Sequence, residues 1–181
     1  QRARTTAWVN TATIQALRND GLRIVLVSGD DSEVVRRVAG EIGADEWFGD
    51  VLPSGKLDLI TRLRAEGRRV LMVGDGLNDA PALAGADASM APSSAADVGR
   101  NAADFVFLKD SLAAVVHTRA VARDAGRLIR QNLGFAVVYN AIAVPIAIMG
   151  FATPLVAAIA MSLSSVIVVA NALRLRAPTI A

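Results

Sequence analysis

The chain has 181 residues, 53% of them hydrophobic, and a mean hydropathy of +0.41, which allows one domain plus a segment more apolar than an ordinary core. Its pI is about 9.7, yet the formal net charge is only +2 and no aromatic-rich basic motif accompanies it, which argues against a nucleic-acid partner. The absence of cysteine excludes disulfides and thiolate metal ligands within this chain.

Gln1 is not an initiator methionine, and Gln1 to Gln15 has no apolar core of the kind a signal peptide needs, so the chain reads as cut from something longer. Arg23-Ile-Val-Leu-Val-Ser28 is a short β-branched run stopped by Gly29-Asp30, the pattern of a buried strand ending in a turn. Asp31 or Ser32 can cap a following helix whose apolar positions Val34, Val35, Val38 and Ile42 recur at helical spacing. Lys56 to Glu66 repeats the helical period, Val70-Leu-Met-Val73 is a second buried strand, and Gly74-Asp75-Gly76 breaks it. Ala88-Ser-Met90 and Phe105-Val-Phe-Leu108 are further strand candidates. Strands that feed helices build a parallel sheet, so residues 1–112 are expected to form part of a doubly wound α/β domain with its active groups at the carboxyl ends of the strands.

From Ser111 onward the pattern is helical, first amphipathic with Arg119, Arg123, Arg127 and Arg130, and then wholly apolar. No Asp, Glu, Lys or Arg occurs from Leu133 to Leu173. Two stretches there, Leu133 to Phe151 and Leu155 to Leu173, each approach the roughly 20 residues that span a bilayer. A buried helical hairpin in a soluble protein is the alternative, and so long an uncharged stretch argues against it. Gly150 and Pro154 bracket a tight turn, and arginines at Arg127, Arg130, Arg174 and Arg176 flank the outer ends. The positive-inside rule then places both hairpin ends, and with them the α/β domain, in the cytoplasm. The expected organisation is an α/β part over 1–112, a helical stalk over 113–132, and a transmembrane hairpin with a short cytoplasmic tail over 133–181. His117 falls on the stalk and reads as a solvated helix residue.

Gly74-Asp75-Gly76-Leu77-Asn78-Asp79-Ala80-Pro81 puts two carboxylates and an amide in one turn at a strand exit. Hard oxygen donors suit Mg²⁺, which usually completes its octahedron with water and substrate phosphate. Ser28 offers a hydroxyl and a neighbouring N–H to a phosphoryl oxygen, and Lys56, after Pro53-Ser-Gly55, offers a movable positive charge. Taken singly, Ser28 can be a turn former, Asp30 a helix cap and Lys56 a solvated side chain. Their order on successive strand exits points to phosphoryl transfer, in which positioning and electrostatics do most of the catalysis.

Gly74 to Pro81 resembles the Gly-Asp-Gly-x-Asn-Asp-x-Pro signature of P-type ATPases, members of the haloacid dehalogenase superfamily. Ser28-Gly29-Asp30 resembles the family's Thr/Ser-Gly-Asp segment, and Lys56 its phosphate-site lysine. The resemblance implies a haloacid dehalogenase-like (Rossmannoid) partial domain, with Asp75 and Asp79 serving Mg²⁺ and Asn78 supporting their loop. It also implies that Ser28 and Lys56 hold an aspartyl phosphate. No Asp-Lys-Thr-Gly occurs in the chain, so the phosphorylated aspartate and the nucleotide-binding domain that holds ATP are expected outside it, and the chain alone is expected to be inactive. Gln1 to Ala12 departs from the family pattern, lacking the Asp and Arg usual before this helix.

In the hairpin, Tyr139-Asn140 and Pro145 lie on the first helix and Met161, Ser164 and Ser165 on the second. Polar groups at bilayer depth tend to face protein, and Met161 and Ser165, four apart, share a helix face. Ser and Asn also join membrane helices and Met fills gaps, so packing alone could account for them. A thioether is nonetheless a soft ligand suited to Cu(I). Tyr139-Asn140-x-x-x-x-Pro145 and Met161-x-x-Ser164-Ser165 resemble the paired signatures of copper(I)-transporting P-type ATPases, in which Tyr139, Asn140, Met161 and Ser165 match metal-handling positions. Zinc-class relatives carry a lysine and an aspartate in these helices, and neither is present here.

The resemblance thus implies part of a multi-pass cell-membrane exporter of Cu(I) or Ag(I), partnered by lipid and by the rest of its own polypeptide: nucleotide-binding and actuator domains and earlier membrane helices, one with Cys-Pro-Cys. Two rival expectations remain: a membrane-anchored phosphatase of the same superfamily, with an Asp-x-Asp motif upstream, and a truncated, non-catalytic membrane protein that binds metal or a partner subunit.

Overall fold

The computed structural model describes residues 10–75, 77–108 and 111–175. The segment before Asn10, Gly76 and Arg176 lie outside the described residues. Two compact units are present, Gln1–Val116 and His117–Ala181.

In the first unit the order is α1 (Thr11–Asn19), β1 (Val25–Val27), α2 (Ser32–Ile42), β2 (Glu46–Phe48), α3 (Pro53–Ala65), β3 (Leu71–Val73), a 3₁₀ turn (Leu77–Asp79), α4 (Ala80–Gly85), β4 (Ala88–Pro92), α5 (Asp97–Ala102) and β5 (Phe105–Phe107). Every strand pairing is parallel, and the helices are the crossovers that parallel pairing requires. The strands form two ladders, β1-β2 and β3-β4-β5, where the sequence suggests one doubly wound sheet. Among the described residues no strand joins β1 to β3, so each keeps one edge without a ladder partner.

Register is fixed by a device that recurs at three crossovers. Asp45 Oδ2 accepts from the N–H of Ile24 at 2.7 Å, Asp87 Oδ2 from Val70 at 2.9 Å and Asp104 Oδ2 from Ser89 at 2.8 Å. Each aspartate stands just before its strand and ties down the start of the neighbouring one, closing a backbone donor that the ladder leaves open. Asp104 also takes the Ser89 hydroxyl at 2.9 Å, which satisfies the deeply buried serine. The core holds Ile14, Leu17, Ile42, Met90, Phe107, Leu112 and Val115. Val35 and Ile42 of the α2 stripe are buried, and Val34 and Val38 are half-buried.

Helix α6 (Ala113–Ile148) belongs to the first unit as far as Val116 and to the second beyond it, and α7 is Pro154–Ala172. Both are long and apolar enough to cross a membrane. Their large side chains are bare: Leu133, Val137, Ile142, Leu155, Ile159 and Val166 are all exposed, a surface that is costly in water and carries no such cost in an apolar medium. The connection follows from its residues. Gly150 adopts φ 82°, which lets its N–H and that of Phe151 close onto Ala147 and Ile146. Thr153 then caps α7 by accepting from Val156 N–H at 3.3 Å, with Pro154 in the first turn where no N–H is needed. Within this unit Asn171, 6% exposed, donates to Asn132 Oδ1 at 2.9 Å and accepts from Arg174 at 3.2 Å, a polar tie between α7 and α6.

Candidate functional site

The strand exits carry the candidate groups. β3 ends at Val73, and Gly74 behind it is buried because its backbone lies against Asp79. A Cβ on Gly74 would stand 2.9 Å from Asp79 Cβ and 3.0 Å from its Oδ2, so only glycine fits. The chain then turns through one 3₁₀ turn into α4, which leaves Asp75 and Asn78 exposed and buries Asp79.

Lys56 reaches Asp79 from α3. Pro53 sits in the first turn of that helix, which starts three residues before the lysine, and Lys56 Nζ donates to Asp79 Oδ1 at 2.5 Å. The two side chains are only 13% and 10% exposed, so the ion pair is largely withdrawn from water. The expected phosphate lysine and the expected magnesium carboxylate are therefore in direct contact.

Ser28 leaves β1 and its backbone is held on both sides: its N–H donates to Phe48 O at 3.0 Å, and its carbonyl accepts from Val51 N–H at 3.0 Å. Its hydroxyl donates to Asp30 Oδ2 at 3.1 Å and accepts from Asp30 N–H at 3.2 Å. Gly29 and Asp30 are exposed. Val51 links this loop to α3, since a Cβ on Gly55 would lie 3.1 Å from Val51 Cγ1. A continuous path of contacts thus runs from Ser28 through Val51 and Gly55 to Lys56, Asp79 and Gly74.

Among the described residues no cluster of three His, Cys, Asp or Glu side chains forms a metal cage. Asp75 and Asp79 supply two hard carboxylates from one turn. That set fits Mg²⁺, which keeps several waters and takes further oxygens from phosphate, and it fits no ion that demands a full protein shell.

Chain 8–87 matches the haloacid dehalogenase-like hydrolase family model. A copper-transporting P-type ATPase of Rhizobium leguminosarum bv. viciae is 49% identical over 172 residues, which cover 91% of this chain and 20% of that protein. The nitrogen fixation protein FixI of the same organism is 57% identical over 162 residues, 90% of this chain and 21% of its own length. The solved structure of a zinc-transporting PIB-type ATPase in its E2.Pi state superposes with a TM-score of 0.86 at 33% identity, over 91% of this chain and 27% of that one. The chain belongs to the P-type ATPase family. It spans about a fifth of the length of the curated relatives it matches. Both parts of the chain fall inside the P-type ATPase match, the haloacid dehalogenase-like α/β part and the two apolar helices.

The hairpin residues are less assembled than the strand exits. Asn140 Nδ2 donates to Ala136 O at 2.9 Å and Ser165 Oγ to Met161 O at 3.0 Å, so each polar group bonds to a carbonyl of its own helix. Met161 is 67% exposed, Tyr139 is half-buried, and among the described residues no hydrogen bond joins the Tyr139-Asn140 pair to Met161 or Ser165. Pro145 lies inside α6 and cannot donate to Ala141 O four residues back. Sequence reasoning passed over Gly49 and Asp50, which contact the Ser28 loop. The only signal was a Gly-Asp pair after the apolar Trp47-Phe48, the same pattern as Gly29-Asp30 and Gly74-Asp75.

Proposed function

We propose that this chain is the C-terminal part of an ATP-driven exporter of Cu(I) or Ag(I) that works through an aspartyl phosphate. The observation that carries the proposal is the Lys56–Asp79 contact at the exit of β3, beside a glycine that admits no side chain. It joins a cation for a transferring phosphoryl group to a carboxylate for Mg²⁺, as phosphoryl transfer requires.

In this account Asp75 and Asp79 hold Mg²⁺, which when bound offsets charge on the phosphoryl oxygens. Lys56 orients one phosphoryl oxygen and holds Asp79 in place. Ser28 and the Gly29 N–H bind another, the Ser28 hydroxyl exchanging Asp30 for the ligand, and Asn78 supports the loop that carries Asp75 and Asp79. The phosphorylated aspartate stands on a strand outside the described residues that pairs with the open edges of β1 and β3. ATP is held by a domain outside this chain.

The cargo is a soft ion because the donors available in the hairpin are the thioether of Met161, with Tyr139, Asn140 and Ser165 beside it, and because no Lys, Asp or His lies between Leu133 and Leu173. Relatives named as copper-transporting and copper-exporting P-type ATPases, 49% and 45% identical, support copper over the zinc of the superposed structure at 33%. The protein is multi-pass in the cell membrane, with the α/β unit and both hairpin ends cytoplasmic. Its partners are lipid and the remainder of the same polypeptide.

Reading the coding DNA upstream of Gln1 tests this. Asp-Lys-Thr-Gly in the cytoplasmic part and Cys-Pro-Cys in an earlier membrane helix are expected. A start codon near Gln1 with neither motif would leave a non-catalytic membrane protein.

A further inference from the structure

Asp50 is the only residue other than glycine with a positive φ among the described residues, at 54°. A residue with a Cβ persists there only where its surroundings hold it, and aspartate tolerates the region better than most. Glycine would fit the backbone with less strain, so the side chain must repay the conformation.

Its carboxylate does so at the start of α2, while its backbone reaches the Ser28-Gly29-Asp30 loop. Asp50 Oδ2 accepts from Ser32 Oγ at 2.5 Å and from Ser32 N–H at 3.1 Å, while the Asp50 N–H donates to Asp30 O at 2.8 Å. Helix α2 already has its own cap, since Asp31 accepts from Glu33 N–H at 2.9 Å. Asp50 closes a different donor of that helix start, the Ser32 N–H, and through its own N–H it also reaches Asp30 on the Ser28-Gly29-Asp30 loop.

Two close approaches reinforce the tie. A Cβ on Gly49 would stand 2.5 Å from Ser32 Cα, so the loop after β2 lies flat on the first turn of α2. A Cβ on Gly29 would stand 3.3 Å from Val51 O. With Val51 N–H on Ser28 O and Asp50 N–H on Asp30 O, both carbonyls flanking Gly29 are fixed. The Gly29 N–H has no acceptor among the described residues and stays available to an anion.

We propose that Asp50 is a positioning residue that holds the Ser28-Gly29-Asp30 loop in the conformation that binds a phosphoryl oxygen. The proposal rests on the phosphoryl-transfer function proposed above. Asp50 touches no reacting atom. Its carboxylate fixes the α2 start through Ser32 and its N–H holds the Asp30 carbonyl, so that the loop is already shaped before phosphate arrives.

The test uses the complete polypeptide that carries this chain, purified in detergent, with orthovanadate as the phosphate analogue. Four forms are compared: wild type, Asp50→Gly, Asp50→Asn and Ser32→Ala. Asp50→Gly keeps the backbone free to adopt φ 54° and removes the acceptor. It is expected to weaken vanadate inhibition of ATP hydrolysis about tenfold while the KM for ATP stays within about twofold, because nucleotide is held elsewhere. Asp50→Asn keeps an acceptor and tolerates the same φ, and should restore vanadate sensitivity to within about threefold of wild type. Ser32→Ala removes only the hydroxyl and should fall between the two. Unchanged vanadate inhibition in Asp50→Gly overturns the proposal. So does a loss of vanadate sensitivity matched by an equal rise in ATP KM and a lower melting temperature, which is the mark of a merely structural residue. A wild-type protein whose ATP hydrolysis vanadate does not inhibit overturns the pump assignment itself, and the Asp50 proposal with it.

Discussion

Lys56→Met is the substitution whose outcome the structure constrains most closely. The lysine and Asp79 form an ion pair at 2.5 Å with side chains only 13% and 10% exposed, and no more than that remains for water to solvate either charge. Removing one partner of a buried pair costs about 3 to 5 kcal/mol because the other charge stays buried, and the residual exposure here favours the lower figure, about 3 kcal/mol. The Lys56→Met/Asp79→Asn double variant removes both buried charges together and should return to within about 1 kcal/mol of wild type. Mg²⁺ supplies a second test. In Lys56→Met bound Mg²⁺ replaces the cation that Asp79 has lost, so saturating Mg²⁺ should restore about 2 to 3 kcal/mol, more than it adds to wild type. The assay is denaturant unfolding of the chain in lipid nanodiscs followed by tryptophan fluorescence, since Trp47 lies in β2 of the first unit. A single-variant loss under about 0.5 kcal/mol, or a double variant equal to the sum of the singles, would refute the argument that the pair is buried and coupled.

Three further substitutions follow from particular contacts. Gly74→Ala must push Asp79 back by a few tenths of an ångström, and should cost about 1 to 3 kcal/mol in unfolding and weaken Mg²⁺-dependent protection measurably in the same titration. Gly150→Ala places a side chain at φ 82°, where open space surrounds it, so the cost should be the backbone term alone, about 1 kcal/mol, read as hairpin stability in the nanodisc preparation. Asn171→Leu removes the bond to Asn132 and should loosen the α6–α7 tie by about 0.6 to 1.7 kcal/mol, seen as faster amide exchange in α7, whereas Asn171→Gln should retain part of it.

The elements with enough residues to show a period are visible in the sequence. Val34, Val35, Val38 and Ile42 mark α2, and the uncharged run from Leu133 to Leu173 marks two membrane-length helices. β2 is invisible because Glu46-Trp47-Phe48 is three residues long, with Trp47 exposed, and is set by pairing with β1 rather than by its own pattern. α4 and α5, six residues each, are too short to display helical spacing. α3 starts at Pro53, three residues before the helical period read from Lys56, because a proline is at home in a first helical turn. Among the site residues, the strand-exit glycines and aspartates announce themselves by their turn chemistry. The Lys56–Asp79 contact and the role of Asp50 do not, because each joins residues from different crossovers and depends on how the loops meet. The division of the sheet into two ladders is likewise a matter of which strands find partners, and local sequence carries no mark of it.

Formation of an acid-stable phosphoenzyme from radiolabelled ATP by the complete polypeptide, measured with Cu(I), Ag(I) or Zn(II) supplied in turn, tests the central claim most directly. Phosphoenzyme that depends on Cu(I) or Ag(I), is insensitive to Zn(II) and is lost in Met161→Ala at limiting Cu(I) is the predicted result. Phosphoenzyme driven by Zn(II), or none with any of the three ions, would contradict it.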